Sequence, residues 1–190
     1  MKVVGFAGGS GAGKTTLVER VIVALNRAGQ RVSVVKHADH DFDIDHPGKD
    51  SWRHRQAGAS EVVVASGRRL AKIREFAVEE RPSVHQLLAE LADCDWALVE
   101  GFRHADLPKI EVWRAVLGRP VTYPDDPFVV AVATDGPASL PQPTALPVLD
   151  LNAPEAVAAF LLESSVRHEY TAPEDWFADA DAGRGARPPA

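Results

Sequence analysis

The stretch GGSGAGKT, residues 8–15, decides the fold, because it follows the pattern G-x-x-x-x-G-K-[ST] of a phosphate-binding loop. Residues 1–7 before it form a short apolar run that predicts a buried strand. Apolar residues after it recur at helical spacing, at Leu17, Val18, Val21, Ile22 and Leu25. Glycines in such a turn let successive backbone N–H groups face one centre, and the helix N-terminus adds partial positive charge there. The sequence therefore predicts a strand–loop–helix unit that binds a nucleoside triphosphate.

The loop backbone and two of its side chains are the expected nucleotide ligands. We expect Lys14 to reach the β- and γ-phosphates and the Thr15 hydroxyl to ligate Mg²⁺. The full set assigned to the nucleotide in this segment is Gly9, Ser10, Gly11, Ala12, Gly13, Lys14, Thr15 and Thr16, of which Thr16 is the least constrained. The loop carries a single lysine, which disfavours the partitioning ATPases, because those have an additional lysine early in the loop.

Acidic residues at two further predicted strand ends complete the pattern of a nucleotide site. Residues 96–99 predict a buried strand that ends in Glu100, to which we assign the Walker B role of holding the metal or orienting the attacking water. Residues 128–134 predict another strand, followed by Asp135, where guanine-specific phosphate-loop proteins place a carboxylate that accepts the N1 and N2 hydrogens. The alternatives are an exposed strand-end acid for Glu100 and a turn aspartate bonded to its own backbone for Asp135.

The segment from His37 to Asp50 is polar and rich in aspartate and histidine. We interpret it as a long functional loop next to the γ-phosphate, followed by a basic helix over residues 51–59. Lys49, Asp50 and Ser51 followed by Arg53 and Arg55 then predict an anion-binding face, because fork-shaped guanidinium groups match the geometry of phosphate. The alternative is a solvated helix face.

The remaining patterns predict an α/β fold of the P-loop NTPase type, with a mostly parallel β-sheet flanked by helices. Further strands are predicted over residues 31–36, 61–65, 70–76, 110–116 and 148–151, and further helices after Ser83 and over residues 153–162. We expect one domain over residues 1–168 and a disordered acidic tail over residues 169–190, because the tail has too little apolar surface to pack.

The composition is that of an ordinary soluble globular protein. Of the 190 residues, 45% are apolar and 25% are charged. The formal net charge of −6 argues against broad nucleic-acid binding. No apolar stretch reaches the length of a membrane span, and no basic region with a following apolar segment opens the chain. We therefore expect a cytoplasmic protein whose partners include neither nucleic acid nor a membrane.

Several sequence blocks resemble the molybdopterin-guanine dinucleotide biosynthesis adapter proteins, the MobB family. The blocks are residues 8–16, 35–37, 43–51, 53–59, 62–66, 98–104, 108–111 and 131–135. The phosphate loop is generic, whereas PGKDS at residues 47–51 and VEGF at residues 99–102 are specific to the family. The resemblance extends from Val4 to about Leu162 and does not include the acidic tail.

The resemblance implies a weakly hydrolysing GTP-binding homodimer that works beside the guanylyltransferase attaching GMP to molybdopterin. It implies that residues 9–13, Lys14 and Thr15 bind GTP and Mg²⁺, with Glu100 near the metal. Candidates for a molybdopterin or partner surface are residues 45–51 together with Arg53, Arg55, Arg103, His104 and Lys109. Two alternatives stay open: a P-loop small-molecule kinase, which needs an arginine-bearing lid, and a module that binds a nucleotide without turnover.

Overall fold

The computed structural model describes residues 1–38 and 41–173. These residues form two compact units, of which one contains Met1–His37 and the chain from Ser83 onward, and the other lies within Ala38–Pro82. The disordered acidic tail is predicted over residues 169–190, of which residues 174–190 lie outside the described residues, as do Asp39 and His40 of the polar loop. At the start of that range, Glu169 forms an isolated bridge with Lys2 and the Tyr170 N–H donates to the Met1 carbonyl at 3.2 Å.

The described strands and helices follow the predicted order. In chain order the strands are β1 (Lys2–Ala7), β2 (Val32–Lys36), β3 (Glu61–Ala65), β4 (Leu70–Arg74), β5 (Trp96–Glu100), β6 (Lys109–Trp113), β7 (Val129–Thr134) and β8 (Val148–Asp150). The helices are α1 (Lys14–Arg27), α2 (Asp50–Gln56), α3 (Val84–Ala89) and α4 (Pro154–Glu163). Within the described part of the chain, no helix is both long enough and apolar enough to span a bilayer.

The first unit is built on a parallel sheet in the order β2-β5-β1-β6-β7-β8. Strand β1 lies between β5 and β6, so the loop that follows it emerges between the carboxyl ends of those two strands. Ligands of open α/β sheets bind at this edge. The predicted α/β fold with a mostly parallel sheet is confirmed.

Helix α1 packs its apolar stripe on the sheet and on α4. Leu17, Val18, Val21 and Leu25 are buried in one cluster with Val157 of α4 and other apolar side chains. Burial of each such side chain stabilises the fold by about 1.5–3 kcal/mol. The packed stripe therefore holds the first turn of α1, and with it the phosphate loop, in a fixed place.

The second unit consists of the polar loop, α2 and an antiparallel hairpin. Strands β3 and β4 pair from Glu61↔Arg74 to Ala65↔Leu70. Helix α2 begins one residue earlier than predicted, at Asp50, and ends at Gln56 rather than at residue 59. The hairpin exposes large apolar side chains at Val63, Val64 and Leu70.

The prediction of a strand over residues 110–116 is wrong at its carboxyl end. Strand β6 ends at Trp113, and residues Ala115–Leu117 form a 3-10 helix. The backbone N–H of Ala115 donates to the Asp135 carboxylate at 3.1 Å instead of to a neighbouring strand. The contact with the Asp135 side chain, which directly follows β7, therefore directs the chain out of the sheet after Trp113.

Candidate nucleotide-binding site

The phosphate loop adopts a tight turn that requires glycine at its first position. Gly8 has φ +140°, and a Cβ built there would lie 2.2 Å from the carbonyl oxygen of Val112 in β6. Within the turn, Ala12 N–H donates to the Gly9 carbonyl at 3.2 Å. At its end, Gly13 precedes α1 with φ +98° and no side-chain cap. The free N–H groups of the first helical turn are therefore available to an anion.

The Lys14 ammonium lies over the loop from which it arises. Its Nζ donates to the carbonyl oxygens of Gly8 at 2.9 Å and Gly9 at 3.0 Å. A positive charge is thereby held against the backbone at the start of the loop. The geometry suits the role predicted for Lys14.

The two residues predicted to hold a metal contact each other. Thr15 Oγ1 donates to Glu100 Oε1 at 2.5 Å, although the residues lie far apart in the sequence. Glu100 is the last residue of β5, pairs in register with Phe6 of β1 and is only 7% exposed. It is thus not an exposed strand-end acid. The hydroxyl and carboxylate oxygens are hard ligands suited to Mg²⁺, which keeps several waters and needs few protein ligands.

Lys36 joins this pair, although the sequence had given no role to its side chain. It ends β2 in register with Glu100, and its Nζ lies 3.5 Å from Glu100 Oε2. The Glu100 carboxylate is thus shared by a hydroxyl and an ammonium group. Only the pairing of β2 with β5 brings Lys36 to this position, so no local sequence pattern could have indicated it.

Asp135 faces Arg114 instead of its own turn. Arg114 Nη1 donates to Asp135 Oδ2 at 2.9 Å, and the amide of Ala115 donates to Oδ1 at 3.1 Å. The Gly136 N–H of the turn donates to the Thr134 hydroxyl and not to Asp135. The contacts therefore disfavour the alternative of a turn aspartate and place the carboxylate beside the strand end that flanks the phosphate loop.

The polar loop and α2 surround Arg55, which binds three carboxylates. Its guanidinium contacts Asp43 at 3.0 Å, Asp45 at 3.2 Å and Glu75 at 2.6 Å. The hydrogen bond from Arg55 holds the pKa of Asp43 below its ordinary value. Burial opposes ionisation of Asp45, but hydrogen bonds from Ser51, the His46 amide and Arg55 outweigh it and lower the pKa of Asp45. Arg55 is therefore a structural centre of this unit rather than part of a free surface.

Lys49 and Arg53, both predicted to bind anions, belong to the second unit. Lys49 precedes α2 and lines an open pocket of about 560 Å³ that is also lined by His46, His54 and the hairpin strand from Val62 to Ala65. Arg53 is exposed and lies 3.8 Å from Asp50, an exposed pair that contributes little stability. Both cations are thus accessible within their unit.

Lys109 is buried, contrary to the expectation that it belongs to a partner surface. It is 2% exposed, and its Nζ donates to the carbonyls of Arg103 and Ala105 and to the Asp126 carboxylate at 3.1, 2.5 and 2.9 Å. Three hydrogen-bond acceptors offset the free-energy cost of burying the ammonium group. Lys109 therefore fixes the loop after β5, while Arg103 itself is exposed.

The parallel sheet, the loop that ends β1 and the acid that ends β5 define an α/β protein of the P-loop type. The model of the family described as molybdopterin guanine dinucleotide synthesis protein B matches residues 3–135. The chain belongs to this family, as the sequence resemblance implies.

Curated relatives and a solved structure agree with this assignment. The chain is 42% identical over 165 residues to the molybdopterin-guanine dinucleotide biosynthesis adapter protein of Escherichia coli, covering 85% of this chain and 91% of that protein. It is 38% identical over 162 residues to the adapter protein of Haemophilus influenzae, covering 84% and 86%. The crystal structure of a molybdopterin-guanine biosynthesis protein B superposes with a TM-score of 0.65 at 29% identity, covering 85% of this chain and 99% of that one.

Proposed function

We propose that this protein is a GTP-binding, weakly hydrolysing adapter that assists the guanylation of molybdopterin in molybdenum cofactor biosynthesis. The observation that carries the nucleotide part is the contact between Thr15 and Glu100 beside a loop whose lysine donates to the loop's own carbonyls. The biosynthetic part rests on the 42% identity to the adapter protein of Escherichia coli. The partner would be the enzyme that attaches GMP to molybdopterin.

In this proposal each of these residues contacts a different part of the nucleotide. The backbone of residues 9–13 and the first turn of α1 donate N–H groups to the phosphate oxygens, and Lys14 adds its charge. Thr15 and Glu100 would hold Mg²⁺, which neutralises phosphate charge when it is bound. Asp135 would accept the N1 and N2 hydrogens of guanine.

The second unit offers candidates for partner recognition. Lys49, His46 and His54 line a pocket that Asp45, Asp50 and Ser51 also line and whose hairpin wall is apolar, and this mixed lining makes it a candidate site for molybdopterin. The exposed side chains of Val63, Val64 and Leu70 on the hairpin support a homodimer, because apolar side chains grouped on one hairpin favour contact with another chain. Val63 and Val64 also line the pocket, so the two surfaces adjoin each other. These two surfaces complete the proposal.

Nucleotide titration and a reconstituted guanylation assay test this function together. Calorimetry of the purified protein should give tighter binding of GTP than of ATP, and stronger binding with Mg²⁺ than with EDTA. Addition of the protein to a guanylyltransferase with molybdopterin and GTP should increase dinucleotide formation. Equal affinity for both nucleotides would contradict the guanine assignment, and unchanged dinucleotide formation would contradict the adapter role. Phosphorylation of a small acceptor instead of release of inorganic phosphate would favour a kinase.

Glu100→Gln should slow GTP hydrolysis about tenfold. In the proposed site Glu100 orients the metal and the attacking water, and a charged acceptor stabilises such a contact by about 1–2 kcal/mol more than a neutral one. GTP affinity should change little, and the Mg²⁺ concentration needed for half-maximal turnover should rise. Single-turnover hydrolysis across a Mg²⁺ titration measures both effects. Asp95→Asn is the matched control, because Asp95 directly precedes the same strand at its other end and pairs with Arg31. Hydrolysis that is unchanged in Glu100→Gln would remove Glu100 from the site.

A further inference from the structure

Arg114 connects the phosphate loop to the carboxylate proposed to read the base. It directly follows β6, whose residues Lys109, Ile110 and Glu111 pair with Gly5, Phe6 and Ala7 of β1. Its side chain therefore starts beside the loop. Nε donates to the Ala12 carbonyl at 3.4 Å, while Nη1 donates to Asp135 Oδ2 at 2.9 Å.

The guanidinium also lies against the last glycine of the loop. A Cβ built on Gly13 would lie 3.1 Å from Arg114 Nη2, so a side chain at position 13 would crowd Arg114. The plane of the guanidinium thus spans from the loop backbone to Asp135. A lysine could not make these contacts together, because all N–H donors of an ammonium are on one nitrogen, whereas those of a guanidinium are spread over three.

The Asp135 carboxylate keeps capacity for a ligand in this arrangement. Each carboxylate oxygen has two acceptor positions, and the contacts within the described residues use one on each oxygen, for Arg114 and for the Ala115 amide. Two acceptor positions are left, which matches the pair of hydrogens on guanine N1 and N2. Arg114 and Ala115 thereby fix the carboxylate without saturating it.

We propose that Arg114 is a positioning residue for base selection, which holds the Asp135 carboxylate at a set place relative to the phosphate loop. A nucleotide is anchored by its phosphates, so a base reader discriminates only if its distance from the phosphate anchor is fixed. Arg114 supplies that fixed link through Ala12 and Gly13 on one side and Asp135 on the other. The inference rests on the proposed function, because it requires that the loop bind a guanine nucleotide.

Competition binding of Arg114 variants tests the inference. A fluorescent GTP analogue is displaced by GTP and by ATP from the full-length parent and from Arg114→Ala and Arg114→Lys, with Mg²⁺ present. We expect the preference for GTP over ATP to fall about tenfold in Arg114→Ala, because one well-placed hydrogen bond to the Asp135 carboxylate is lost. In Arg114→Lys the preference should be intermediate. Arg114→Ala combined with Asp135→Asn should lose no more selectivity than Asp135→Asn alone, because both changes remove the same unit.

A matched control and the nucleotide ratio separate positioning from a merely structural effect. Arg31→Ala also removes an arginine paired with carboxylates, those of Asp93 and Asp95, but at the amino ends of the strands, and it should keep the parental ratio. Equal weakening of GTP and ATP in both Arg114 variants, or an unchanged ratio, would overturn the inference while leaving the proposed function intact. Absence of triphosphate binding by the parent would instead overturn the proposed function, and the inference with it.

Discussion

Lys14→Ala should weaken the binding of GTP by on the order of 100-fold or more, because in the proposed site the ammonium would make charge-assisted contacts to phosphate of about 1.5–3 kcal/mol each. The Lys14 side chain is half-buried, and among the described residues its Nζ donates to the Gly8 and Gly9 carbonyls, both within the loop itself. The substitution therefore removes charge from the site without opening the core. Isothermal titration of folded parent and variant with GTP and Mg²⁺ measures the loss.

The matched control for this prediction is Arg20→Ala, which removes one positive charge from an exposed position on the same helix. It should bind GTP with parental affinity, which separates local phosphate contact from the general electrostatic field of the protein. Thermal melting of all three proteins verifies that they are folded. Parental affinity in Lys14→Ala would mean that residues 8–15 do not bind the triphosphate.

The central strand–loop–helix unit could be predicted because its determinants are local. The glycine pattern, the apolar run before it and the helical stripe after it all lie within the first 30 residues, and β1 and α1 are found where they predict. The parallel sheet followed from the alternation of strands with helices. Each of these signals concerns neighbours in the sequence.

The contacts that complete the site are non-local, and the sequence did not indicate them. Lys36 reaches Glu100 through the pairing of β2 with β5, and Arg114 reaches Asp135 because β6 and β7 are neighbours in the sheet. Lys109 differs most from its sequence-based prediction, because a lysine in a basic segment suggests a surface, whereas this ammonium is buried and donates to three acceptors. Strand order, and not residue type, decides these roles.

The same strand order explains why the end of β6 matters to the site. Strand β6 lies between β1, which leads into the phosphate loop, and β7, which leads into Asp135. Arg114 at the end of β6 is therefore the residue from which both neighbours can be contacted. The early end of β6, one of the departures from the sequence prediction, turns the chain so that both the Arg114 side chain and the Ala115 amide face Asp135.

Asp135→Asn should reverse the preference of the protein among purine nucleotides. In the proposed site the carboxylate would accept both the N1 and N2 hydrogens of guanine, whereas an amide can accept only through its oxygen. GTP affinity should therefore fall about 100-fold, the cost of an unpaired polar contact. Xanthosine triphosphate carries a carbonyl at C2, which can accept from the new amide, so its affinity should rise. ATP, which offers no matching pair of hydrogens, should change least.

Displacement of one labelled analogue by GTP, ATP and xanthosine triphosphate measures the ranking in the parent and the variant. Asp150→Asn is the matched control, because Asp150 ends the neighbouring strand β8 in register with Thr134 and accepts from the Asn152 amide. It carries the same change of charge at the same edge of the sheet and should keep the parental ranking. If Asp135→Asn also keeps that ranking, Asp135 serves only to anchor Arg114 and the Ala115 amide, and guanine must be recognised by the segment that follows Gly136 or by a second copy of the chain.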